Sequence, residues 1–166
     1  DTIFGDSGND ILSGNEGNDQ IEGGAGEDRL FGDEGDDHLK GGDDNDHISG
    51  GSGDDILDGG AGNDKLYGNE GNDTLDGGTG YDLLWGGEGD DTYIINSEKF
   101  YLYDKGGNDT VIVNVDFVKI SSKIETVTYA EGVKKLPYWI SALLGDRANA
   151  YSKFLAPGKV FLFGFP

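Results

Sequence analysis

An aspartate stands at every ninth residue from position 10 to position 91 without a miss: Asp10, Asp19, Asp28, Asp37, Asp46, Asp55, Asp64, Asp73, Asp82 and Asp91. Each follows a glycine by five residues, from Gly5 to Gly86, and precedes one large apolar residue by two, from Leu12 to Tyr93. Carboxylates are hard, anionic oxygen donors, and glycine lets backbone carbonyls converge where a side chain would block them. Calcium takes six to eight such oxygens at about 2.3–2.6 Å. The repeated unit therefore carries the chemistry of oxygen coordination to a divalent cation. Competing chemistries find no support: there is no Cys, and no G-x-S-x-G, H-E-x-x-H or Asp-Pro pattern occurs. His38 and His47 fall at the same place in adjacent repeats. That predicts solvated residues on opposite sheets and not a zinc pair.

Counting the glycine as position 1 and the aspartate as position 6, the unit reads G-[GDN]-x-[GD]-x-D-x-U-x, with U large and apolar. Position 2 is Gly or one of Asp6, Asn15, Asp33 and Asn69, and position 4 is Gly except for Asp44. Asn and Asp are the non-glycine residues that best tolerate positive φ, so both positions are predicted to be left-handed. Six turn residues followed by x-U-x predict a short strand with U pointing inward. Two units then complete one coil of about 18 residues, with odd repeats stacked on one edge and even repeats on the other. The expected fold is all-β, a parallel β-roll whose U residues fill a thin interior.

Same-edge neighbours in this arrangement are Asp10–Asp28, Asp28–Asp46, Asp46–Asp64 and Asp64–Asp82, and opposite them Asp19–Asp37, Asp37–Asp55, Asp55–Asp73 and Asp73–Asp91. About eight calcium ions are expected between these pairs, and the weaker repeats beyond allow for nine or ten. Asp104 to Val111 falls in phase and puts Asp109 at the ligand position, giving a further pair with Asp91. The repeat between has Phe100 where the aspartate belongs and has lost its ligand. Asp1 to Phe4 matches the end of a preceding unit, as expected of a piece of a longer protein.

Charge divides the chain. Residues 1–94 hold 26 acids against Arg29, Lys40 and Lys65, whereas residues 95–166 hold seven acids against nine bases. A segment with net charge −23 and one apolar core residue per repeat should not collapse unaided, because its carboxylates repel one another. Something cationic must complete it, and the spacing selects a metal over a polybasic partner. Nucleic acid is excluded as a partner by the same charge. No apolar run is long enough to span a membrane, and no cleaved secretory leader is expected within this fragment.

The nonapeptide pattern resembles the repeats-in-toxin (RTX) family of calcium-binding proteins. That resemblance implies a right-handed roll in a bacterial protein secreted to the extracellular space by type I secretion machinery. It also implies a roll that is disordered at low calcium and folds outside the cell, supporting export of a larger toxin, protease, lipase, epimerase or adhesin. The module itself is then not an enzyme. An alternative is an adhesin or polysaccharide-binding module that uses the roll as a scaffold, with a glycan or an adjoining domain as partner.

The expected domains are a roll over 1–112 and a capping segment of mixed β and α structure over 113–166. Strands are predicted over 110–115 and 124–129, with a helix after Pro137 that stops at Gly145, and a second near 148–155. Position 9 reads Ser13, Phe31, Ser49, Tyr67 and Trp85 on the odd repeats and Glu22, Lys40, Asp58, Asp76 and Ile94 on the even ones. One outer face should therefore be aromatic and the other charged.

Overall fold

The structure is a computed structural model that describes residues 1–97 and 99–114 and, as a strand, 126–129. It is a two-sheet parallel β-solenoid. The strands are β1 (Thr2–Phe4), β2 (Ile11–Glu16), β3 (Gln20–Ala25), β4 (Arg29–Glu34), β5 (His38–Asp43), β6 (His47–Ser52) and β7 (Ile56–Ala61). They continue with β8 (Lys65–Glu70), β9 (Thr74–Asp76), β10 (Asp82–Glu88), β11 (Thr92–Ile95), β12 (Phe100–Tyr103), β13 (Thr110–Val113) and β14 (Thr126–Tyr129). Odd-numbered strands build one sheet in the order β1-β3-β5-β7-β9-β11-β13, with β14 added at its end. Even-numbered strands β2 to β12 build the other. Every pairing is parallel.

Register follows from the nine-residue unit. Leu30 pairs with Leu12 and Ile48, and Leu39 pairs with Ile21 and Leu57, each a step of eighteen residues. One-residue slippage would turn U outward, so burial of that side chain fixes the stack. The U residues from Ile21 to Val111 are buried between the sheets as a single file, and Ile3 and Leu12 close it partly at the first coil.

Left-handed turns occur where expected. Asp6, Asn15, Asp33 and Asn69 at position 2, and Asp44 at position 4, have φ between 67° and 85°. Gly26 shows why position 4 is otherwise glycine: its φ is 127°, and a Cβ there would lie 2.5 Å from the Gly8 carbonyl oxygen of the coil below.

The solenoid runs past residue 95, where the composition shifts. Strand β12 pairs in phase with β10, and β13 with β11. In this stretch Ile95 and Val113 occupy position 1 in place of glycine, and both are buried. Phe100, in place of aspartate, packs partly buried against the core. Strand β14 departs from the period: Thr126 pairs with Thr110, two residues short of the usual step. The predicted helices lie outside the described residues. Among the described residues no helix is long and apolar enough to cross a membrane.

Candidate metal-binding edges

The position-6 aspartates all turn inward at the two edges of the roll. From Asp19 to Asp91 they are at most 3% exposed, and Asp109 is fully buried. A backbone ladder holds Oδ1 of each one from Asp28 onward. The Asp28 amide donates to Asp46 Oδ1, the Asp37 amide to Asp55 Oδ1 and the Asp46 amide to Asp64 Oδ1, each at 2.8 Å. The same contact joins Asp10 to Asp28 and Asp64 to Asp82 on one edge. On the other it joins Asp19 to Asp37, Asp55 to Asp73, Asp73 to Asp91, and Asp91 to Asp109. These are the same-edge pairs expected from the spacing. On the first edge the ladder stops at Asp82, where Phe100 follows.

One oxygen is thus fixed and the other is left over. Oδ2 of Asp10, Asp19, Asp28, Asp37, Asp46, Asp55, Asp64, Asp73 and Asp91 is buried without a hydrogen-bond partner. Each points at the position-1 glycine of its own repeat. A Cβ on Gly41 would sit 2.2 Å from Asp46 Oδ2 and 2.7 Å from the Gly59 carbonyl oxygen. A buried, unpartnered carboxylate oxygen is costly unless a cation meets it. Repeating that arrangement along both edges, beside converging carbonyls, gives a donor set that fits calcium: hard, anionic, oxygen-only and rigidly spaced.

Electrostatics agree. Burial, reinforced by neighbouring carboxylates and opposed by the amide hydrogen bond, raises the carboxyl pKa to about 7 at Asp46, Asp55, Asp73 and Asp91. It reaches about 6 at Asp64 and Asp82, and Asp37 is also raised. At Asp109 it reaches about 7, through burial and then the adjoining Asp104 side chain. A column of carboxylates packed this closely resists ionisation until something positive enters.

Two features were not read from the sequence. The first is a counter-running ladder at position 5. The Asp36 amide donates to Asn18 Oδ1, the Asp54 amide to Asp36 Oδ1 and the Asn72 amide to Asp54 Oδ1, and Asp90 and Asn108 continue it. The signal was there, because position 5 is Asn or Asp in most repeats. The second is Asp104, which replaces the position-1 glycine beside Asp109. Carboxylate oxygens of Asp91, Asp104 and Asp109 all lie within 4.8 Å of one another. Tyr93, standing where other repeats have Leu or Ile, accepts the Gly86 amide and donates its hydroxyl to Asp104 Oδ1, each at 3.0 Å.

The histidines do lie on opposite sheets, but only His38 is exposed. His47 is half-buried and stacks on Tyr67 with ring centroids 5.1 Å apart. Burial first, then Lys65 and Arg29, hold its imidazole below the ordinary value. The expectation that it is simply solvated is corrected by that stacking.

The RTX calcium-binding nonapeptide repeat (4 copies) matches over residues 1–30, 31–66 and 67–94, more than half of the chain. Comparison with the curated proteins gives no match. Parallel coils of nine-residue units, inward aspartates and that match together make the chain a member of the RTX calcium-binding nonapeptide repeat family.

Proposed function

We infer that this chain is a calcium-dependent folding module of a larger secreted protein. Calcium would be held between same-edge neighbours among Asp10, Asp19, Asp28, Asp37, Asp46, Asp55, Asp64, Asp73, Asp82 and Asp91, with Asp109 extending one edge. About eight ions follow from the regular pairs, and a ninth from Asp91 with Asp109. Residues 1–112 form the roll, and 113–166 act as the segment that closes it. Family membership supports release to the extracellular space through type I secretion machinery, and a structural, non-catalytic role for the module.

The observation that carries this reading is the buried, unpartnered Oδ2 repeated along both edges. Folding and ion uptake are then linked, because the folded roll assembles oxygens that the unfolded chain leaves scattered. Circular dichroism should show a disordered chain in chelator and parallel β structure in millimolar calcium. Equal β content in both would refute the reading, as would calorimetry that detects no stoichiometric uptake.

A further inference from the structure

On the edge that runs from Asp19 to Asp109, the turn before Asp109 departs from the repeat at its first residue. Asp104 stands where the ten regular repeats have glycine, and Lys105 follows it. Position 2 is left-handed in all ten of those repeats, with φ between 67° and 128°, whereas Lys105 is not. The turn is therefore shaped differently where it carries a carboxylate in place of a bare Cα. Lys105 does not neutralise that carboxylate: its ammonium pairs with Glu88 and is largely exposed.

Asp91, Asp104 and Asp109 form the only group of three such close carboxylates among the described residues. Asp91 is 1% exposed, and its Oδ2 has no hydrogen-bond partner. A Cβ on Gly86 would stand 2.0 Å from that oxygen and 2.2 Å from the Tyr93 hydroxyl. Oδ2 is thus aimed at the place where the hydroxyl holds Asp104 Oδ1. Asp109, fully buried, hydrogen-bonds the Asp104 side chain. Two carboxyl groups come into such contact only across a proton or a cation.

We propose that Asp91, Asp104 and Asp109 form a three-carboxylate calcium site, tighter than the pairs along the regular edges, with Asp104 as a ligand and Tyr93 as its positioning residue. The inference rests on the calcium reading above and adds a ligand that the nonapeptide pattern does not contain. Along the regular columns each aspartate is shared between the ions on either side, so an interior ion has few carboxylates of its own. Here Asp104 brings a third, and calcium affinity rises with the charge and rigidity of the ligand set. Rigidity comes from Tyr93, whose hydroxyl is fixed by the Gly86 amide on one side and Asp104 Oδ1 on the other.

The test titrates the full chain with calcium against a chromophoric chelator, beside Asp104→Gly and Asp104→Asn variants. The parent chain should hold one ion at least about tenfold more tightly than the rest. Asp104→Gly restores the regular repeat, so the number of ions should stay the same while the tight one joins the main class. Asp104→Asn keeps the size of the side chain and should have the same effect. Tyr93→Phe should weaken the tight ion about tenfold in the parent chain and change nothing in the Asp104→Asn background. An equal loss in both backgrounds would overturn the positioning role of Tyr93. A parent chain without a tight ion overturns the proposal and leaves the calcium reading standing. So do Asp104 variants that keep the tight ion, or that bind it more tightly because Asp104 was an obstruction. Failure of the parent chain to take up calcium overturns both.

Discussion

At Gly41 a methyl group has nowhere to go, and the obstacle is the carboxylate the turn was built to hold. A Cβ would stand 2.2 Å from Asp46 Oδ2, whereas at Gly106 nothing lies within 4 Å. Gly41→Ala should therefore cost about 1–3 kcal/mol of calcium-loaded stability, the usual penalty of overpacking a closed site. Gly106→Ala should stay within about 0.5 kcal/mol. Denaturation in excess calcium measures both. The same carboxylates set the response to pH. Their folded pKa values are raised, to about 7 at Asp46 and Asp55 and about 6 at Asp64, so the ion-free roll holds more protons than the unfolded chain. Its stability is then present at pH 4 and lost as pH rises toward 7. Calcium needs the ionised form, so wherever the ion-free roll is folded its apparent affinity should run the other way, falling as pH drops from 8 to 5.5, with proton release on binding near pH 6.5, whereas uptake by the disordered chain should release almost none there. Calcium titrations in weakly buffered solution at each pH read both quantities.

At the scale of the coil, the nine-residue frame made strand spacing, register and the aspartate columns legible, because each depends on one residue type at a fixed phase. Phe100 was read as a lost ligand, but the accompanying change at position 1 was not. Ile95 replaces glycine on the same edge, so the turn exchanges both its carboxylate and its cradle for buried apolar surface. The role of Asp104 beside Asp109 is not legible in the sequence for a related reason: it depends on Tyr93, eleven residues away, whose hydroxyl meets it only after the coil closes. Beyond Val113 the period itself changes, and Thr126 pairs with Thr110 at a step that the nonapeptide count does not supply. If position 1 and position 6 together define a site, the lost one can be rebuilt. Combined Ile95→Gly and Phe100→Asp should add one bound ion paired with Asp82, read as stoichiometry by calorimetry. Phe100→Asp alone should add none and should destabilise the coil, because the new carboxylate would meet the Ile95 side chain.

Across the whole molecule the source of cohesion shifts along the axis. Coils from Gln20 to Asp76 bury one U residue per repeat and otherwise rest on paired carboxylates. The last described coils bury Ile95, Leu102, Val111 and Val113 together and carry aspartate on only one edge. In a solenoid each coil is stabilised by its neighbours, so order spreads from the coil that needs least help. The apolar end requires fewer ions per strand and faces less carboxylate repulsion than the acidic one. Hydrogen exchange along a calcium titration should therefore show amides of 100–113 reaching half protection at lower free calcium than those of 20–43. A single midpoint shared by both regions would mean that the roll orders as one unit and that the apolar coils give no head start. The reverse order would place the first stable coil among the aspartates, and would make ion pairing, not apolar burial, the step that starts the fold.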